Sequence, residues 1–373
     1  MMNKKFLATT FTLTGSIIGA GILGLPYVFA QSGLLIGLFW LIALGAIMIF
    51  MNLTLGEITL RTKGKHQLAG YAEKYLGKKG KRAMFFIVIF GIYSALLAYL
   101  VGEGNSFARL IPFNVPPVVF GIIFWVILTL MLRKGMKELK KIETWGVIGI
   151  IGIVLAIFIQ YVFTLDISNL ATINQANFFT PIGVVLFALL GFTSIPELRI
   201  EIKGQEKLFK RAVIIGTVIP IILYILFSII FIGKFGITVN EVATLSLGPF
   251  VTILGIFTML TSFLVLSFSL HDMFKYDLKT SNKVNFFFTS LVPLILYILA
   301  EQFDFTSFST ILGIGGTVSG GLTGIMILLM ARKAKAKTRS KNKEPEIKMP
   351  INWFIVIILS LVFIAAIVLQ LSR

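Results

Sequence analysis

Along this chain, polar residues come as punctuation between long apolar runs. A helix needs about 20 residues to cross roughly 30 Å of hydrocarbon. Eleven stretches approach or exceed that length: residues 6–30, 33–55, 83–103, 116–132, 144–164, 178–198, 212–233, 249–273, 284–300, 308–330 and 351–371. The pattern predicts an all-α polytopic membrane protein with eleven transmembrane helices. Composition agrees, with 57% of the 373 residues hydrophobic and 13% charged, against about 25% charged in soluble domains. A soluble enzyme, a secreted scaffold and a nucleic-acid-binding domain are disfavoured.

The formal net charge is +18, and its distribution carries the information. Assigning loops alternately to two sides places 31 of the 34 Lys and Arg on one side, with Arg109, Lys234 and Arg373 on the other. Basic loops stay cytoplasmic, which predicts a plasma-membrane protein with a cytoplasmic N-terminus and an extracellular C-terminus. The charge then serves topology and anionic lipid headgroups, without a nucleic-acid partner or an obligate protein partner. The run 332–348 reads as a solvated basic loop, and Glu57 and Glu143 as partners of nearby Lys or Arg.

With no Cys and only His66 and His271, neither a thiolate nucleophile nor a Cys/His metal cage is available. There is no Walker motif (G-x-x-x-x-G-K-[ST]), and no acid pair or Ser–His dyad falls at membrane depth. The chain is not expected to be an enzyme or to need a cofactor.

A repeat runs through the pattern. GSIIGAGILGLP (15–26) and LLGFTSIPEL (189–198) each place a Pro five residues after a Gly: Gly21 to Pro26, and Gly191 to Pro196, an offset of 170. HQLAGYAEKYLG ends at Gly77 and ITVNEVATLSLG at Gly248, an offset of 171. Five helices is an odd number, so the second copy starts from the opposite face. The expected organisation is a 5+5 inverted repeat (1–165 and 166–331), a basic cytoplasmic linker (332–350) and an additional transmembrane helix (351–373).

Helices 1 and 6 are expected to break near mid-membrane at these motifs. Non-helical backbone there exposes N–H and C=O groups that lipid cannot satisfy, so it survives only beside protein, water, an ion or a substrate. The N–H groups around Ala20 and Gly21 suit a carboxylate. The carbonyls of Ile17 and of Phe187–Gly191 suit an ammonium, so a zwitterionic amino acid fits both. Close helix packing through Gly15-x-x-x-Gly19 is the competing reading. Glu103 reads as an interfacial acid, with proton carriage as the alternative. Glu197 reads as the first-turn acid of a helix opened by Ser194 and Pro196, with gating or proton coupling as the alternative. Tyr93 lies near mid-membrane on the third helix.

GSIIGAGILGLP, LFALLGFTSIPEL and LTSFLVLSFSLHDMF together resemble the amino acid/auxin permeases and the aromatic amino acid permeases of the amino acid–polyamine–organocation superfamily, over essentially the whole chain. The resemblance implies a LeuT-type fold. It also implies a secondary transporter carrying a neutral, apolar or aromatic amino acid by H⁺- or Na⁺-coupled alternating access. An amino-acid sensor without net transport is the alternative. By the same resemblance Ser16, Ile17, Gly19, Ala20 and Gly21 would face Phe187, Gly191, Phe192, Thr193 and Ser194 around the substrate, with Tyr93 as a further substrate ligand. A sodium ion would take carbonyls of Gly15, Ile18 and Thr258 and hydroxyls of Thr261 and Ser262. Proton-coupled relatives can keep a similar Thr–Ser pair, and one branch places a Lys in helix 5, which residues 144–164 lack.

Overall fold

A computed structural model describes residues 4–111, 114–134, 139–278, 280–338 and 345–372, and every regular element among them is helical. The first apolar stretch forms α1 (Lys4–Ile17) and α2 (Gly21–Ser32), followed by α3 (Leu34–Arg61), α4 (Leu68–Leu110), α5 (Pro117–Lys134) and α6 (Leu139–Tyr161). The short α7 (Ile167–Leu170) leads to α8 (Pro181–Ala188) and α9 (Ile195–Glu201), which divide the sixth stretch. Then come α10 (Phe209–Phe235), α11 (Pro249–Asp272), α12 (Asn282–Phe286) and α13 (Val292–Gln302). The chain closes with α14 (Phe308–Ile314), α15 (Gly321–Thr338) and α16 (Trp353–Leu371). Among the described residues eight helical segments are long and apolar enough to cross a membrane, and the bent α1–α2 pair makes a ninth.

The apolar residues divide between an inner core and an outer belt. Phe29, Tyr224, Phe227, Phe263 and Phe308 are fully buried, whereas Ile42, Phe86, Phe257 and Leu361 are exposed. Exposed apolar surface on this scale is the mark of a membrane-facing protein. α16 rests against α15, where Gly324 leaves space for the Phe363 ring.

The polar segment ending at Gly77 is itself helical. It forms the start of α4 and meets the apolar part across Gly77, whose φ of 79° and ψ of −172° break the geometry. A residue with a Cβ is strained there. Gly248 takes the same conformation (φ 94°, ψ 179°) immediately before α11. The six described glycines with positive φ are 33, 64, 77, 204, 236 and 248. They form three pairs, offset by 171, 172 and 171 residues.

The connectors are held by local capping. Asp166 opens α7, its carboxylate accepting from the Ser168 hydroxyl at 2.6 Å and the Ser168 N–H at 2.9 Å. These bonds, the hydroxyl first, hold its carboxyl below the usual carboxylate range.

The linker before α16 also differs from the solvated loop expected. Residues 339–344 and the side chain of Glu143 lie outside the described residues. After them the chain folds back on α3: Ile347 is buried, and the Met349 N–H donates to Glu57 Oε2 at 2.8 Å. Glu57 also pairs with Arg61 at 2.7 Å, and Lys335 donates to the Met349 carbonyl. The expected basic partner of Glu57 is thus Arg61, and the same carboxylate pins the linker. Glu57→Ala strands both the Arg61 guanidinium and the Met349 N–H, a loss of about 3–5 kcal/mol for a buried pair. In detergent the variant should melt at lower temperature and be cut faster by trypsin at Lys335. An unchanged melting point and cleavage rate would contradict the latch.

Candidate functional site

Two helices stop short inside the core, at the places the Gly-Pro motifs mark. α1 ends at Ile17 and α2 restarts at Gly21, with a 54° bend between their axes. α8 ends at Ala188 and α9 restarts at Ile195. Glycines at 15, 19, 21 and 191 weaken the helix. Pro196 has no N–H to continue a helical ladder backwards, and proline disfavours helical geometry in the residue before it. The breaks press against each other. A Cβ on Gly21 would lie 2.5 Å from Ala188 Cα, and one on Gly191 would lie 2.9 Å from Ile17 Cγ1.

Two tyrosines close off part of the exposed backbone. The Tyr224 hydroxyl, carried by α10 and wholly buried, lies 2.8 Å from the Ile17 carbonyl and 2.8 Å from the Ala188 carbonyl. One hydroxyl hydrogen thus serves the C-terminal ends of both half-helices. Ile17 also accepts from the Gly19 N–H at 2.9 Å. These two carbonyls, expected to be open to an ammonium, are therefore already engaged. On α4 the Tyr99 hydroxyl bonds to the Ala20 backbone and to the Ser262 hydroxyl.

What remains is paired by sign. Among the described residues the N–H groups of Gly21 and Ile22, at the start of α2, find no backbone acceptor. The carbonyls of Ile18, Gly19, Leu189 and Leu190 likewise accept no backbone donor. Donors at a helix N-terminus lie beside uncommitted carbonyls, and no charged side chain takes part.

The other predicted residues separate into those gathered here and those engaged elsewhere. Gly19 faces Tyr99 and Ser262, its virtual Cβ 3.4 and 3.6 Å from their oxygens. Ile18, Ala20 and Phe192 are buried, and Thr193 is exposed. The Ser16 hydroxyl is bonded to Leu13 O at 2.9 Å. Phe187 packs against Gly315 and Gly316. Ser194 occupies the N-cap position of α9, but its side chain makes no capping bond; its carbonyl instead accepts from Glu197 N at 2.9 Å. Glu197 is half-buried in the first turn of α9.

Tyr93 is committed to the Phe288 carbonyl at 2.8 Å, so the α4 tyrosine at the break is Tyr99. Of the five sodium positions, Gly15 packs on Val147 of α6, and the Thr261 hydroxyl bonds Phe257 O and Thr258 O within its own helix. Thr258 Oγ1 bonds Leu254 O. Ile18 lies in the break itself with no backbone donor on its carbonyl, and of the three α11 positions Ser262 is the one that reaches it.

Glu103 overturns its interfacial reading. α4 continues to Leu110, placing residue 103 roughly 10 Å inside the helix end. Its side chain is fully buried, and among the described residues neither carboxyl oxygen has a hydrogen-bond partner. Beyond it, at the same end of α4, opens a cavity of about 770 Å³ whose lining includes Asn105, Arg109, Asn240 and Glu241.

Tyr99 and Tyr224 were the residues missed by sequence reasoning. The available signal was the hydroxyl itself, since a buried Tyr O–H needs a partner.

The tryptophan/tyrosine permease family matches residues 2–370. Glutamine transporter 2 of Aliivibrio fischeri is 25% identical over 344 residues, covering 85% of this chain and 86% of that protein. Tyrosine-specific transport system 1 of Haemophilus influenzae is 27% identical over 233 residues, or 61% of this chain and 57% of that protein's length. In fold, the chain is similar to a mutant manganese transporter of Eremococcus coleocola, with a TM-score of 0.63, 10% identity, and coverage of 98% and 94% of the two chains.

Tyr224→Phe removes the donor shared by the two half-helices and leaves buried carbonyls bare, a cost of about 1–3 kcal/mol. It should lower the melting temperature while preserving helical content by circular dichroism; wild-type stability would contradict the bridging role. Gly21→Val drives a side chain into the Ala188 backbone. It should abolish amino-acid binding, measured on protein that still inserts into membranes, and wild-type binding would contradict the close approach.

Proposed function

This chain belongs to the tryptophan/tyrosine permease family, and we propose that it carries a neutral, apolar or aromatic amino acid across the cell membrane by cation-coupled alternating access. The observation that carries this reading is the pair of facing helix breaks. The free N–H groups of Gly21 and Ile22 receive the substrate carboxylate, where the helix dipole also favours negative charge. The carbonyls of Ile18, Gly19, Leu189 and Leu190 receive its ammonium. Both recognition surfaces are backbone, so they read the part common to all amino acids. Side-chain selection falls to the apolar surroundings, where an unpaired charge is costly to bury. The relatives' names, a glutamine transporter and a tyrosine-specific system, support a neutral substrate.

In this reading the short α5 and the α8–α9 pair also cross, giving eleven helices. Residues 1–165 and 166–331 are two copies of opposite orientation, as in many transporters. The paired positive-φ glycines support the repeat, as does the spacing of 171 residues between the two helix ends at Ile17 and Ala188. The α1–α2 pair, α3, the α8–α9 pair and α10 rock against α4, α5, α11 and the α12–α13 segment about the central site, and Tyr224 keeps the two half-helices moving together. The coupling cation is H⁺ or Na⁺.

Purified protein in liposomes tests the reading with labelled tyrosine, tryptophan, leucine, glutamine, lysine and glutamate under separate Na⁺ and pH gradients. Saturable, gradient-driven uptake of neutral members, with lysine and glutamate excluded, is the expected result. Equal, unsaturable flux of all six would overturn it.

A further inference from the structure

Glu103 is an acid in a place where nothing answers its charge. Its residue exposure is zero, and both carboxyl oxygens lack hydrogen-bond partners among the described residues. The helix is gripped on either side of it. A Cβ on Gly102 would meet Met259 Sδ at 2.6 Å, and one on Gly104 would meet the Pro117 carbonyl at 2.6 Å. Tyr99 precedes Glu103 by four residues, so the two side chains share a face one helical turn apart. Tyr99 is the residue that bonds to the Ala20 backbone at the break. A buried acid thus stands one helical turn from the side chain that reaches the candidate site.

The titratable groups around it are few. Those on its own helix are Tyr99 and, outward, Arg109; α13 contributes Tyr297 and Glu301. Within α5 the charged residues are Arg133 and Lys134, and within α11 His271 and Asp272, all at the far ends of those helices. α14 has none, and α15 begins its basic run only at Arg332. Among the described residues no lysine or arginine pairs with Glu103. An isolated carboxylate in an apolar interior is too costly to persist, whereas a neutral carboxyl is tolerated. An ionisable residue kept at membrane depth under those conditions marks a proton pathway.

We propose that Glu103 is the group that carries the coupling proton of this transporter. The inference rests on the transport reading above. With the site open outward, the carboxylate takes one proton from outside water as substrate binds, and the neutral acid permits the closed arrangement seen here. With the site open inward, the O–H bond breaks, and the proton passes to inside water after the substrate leaves. Each cycle moves one proton and one zwitterion, and the empty carrier returns with the carboxylate hydrated, in an arrangement other than the closed one seen here. Tyr99 couples the two events by joining the Glu103 face of α4 to Ala20.

The test uses the full chain in liposomes with labelled tyrosine as the probe and a trapped pH dye. In wild type, tyrosine addition should acidify the lumen, and an inside-alkaline gradient of one pH unit should sustain about tenfold accumulation, or roughly 1.4 kcal/mol. Glu103→Gln should lose both responses yet exchange internal for external tyrosine at a near wild-type rate. Should Glu103→Gln fail to insert, Glu103→Leu carries the same expectation. Wild-type tyrosine uptake without lumen acidification would overturn the proposal, as would a variant that accumulates tyrosine like wild type. A correctly inserted variant that loses exchange along with accumulation would also overturn it, by showing a role in binding or structure. Failure of wild type to take up or exchange any amino acid of the panel would instead reject the transport reading itself.

Discussion

A peptide group inside a bilayer must find a partner, because hydrocarbon offers none. That constraint organises this molecule. Most of the chain meets it with continuous helix. At two places it does not, and there the remaining groups are met by specific devices: one tyrosine hydroxyl for the ends of α1 and α8, another for Ala20 and Ser262. The groups left over form a small polar surface in an apolar core. Function, on this account, is the part of the backbone that the protein itself leaves unsatisfied.

Much of this was legible in the sequence because helix breaking is a local property. Gly15, Gly19 and Gly21, and Gly191 with Pro196, act through their own backbone preferences. They therefore announce the interruptions without any knowledge of neighbours. The same holds for Gly77 and Gly248, whose shared spacing reflects the same unusual φ in both halves. The long apolar runs likewise located the helices.

What could not be read was which side chains reach the breaks. Tyr93 and Tyr99 lie less than two turns apart on one helix, and composition gives no reason to prefer either. Packing decides: Tyr93 meets the Phe288 carbonyl, whereas Tyr99 meets Ala20. Glu103 misled for a related reason. Its position near the end of an apolar run suggested an interface, but α4 continues to Leu110 and carries it inside. The fold-back of residues 345–351 onto Glu57 was equally invisible, because a long-range contact leaves no local pattern.

The central claim is that helix-break backbone groups bind the zwitterionic part of the substrate. Inhibition of uptake by analogues tests it most directly. For the amino acid transported best, its decarboxylated amine and its deaminated acid are compared as competitors against the parent compound. Each analogue loses a charge-assisted contact of about 1.5–3 kcal/mol, so each should compete at least about tenfold more weakly. Either analogue competing as well as the parent amino acid would contradict the account.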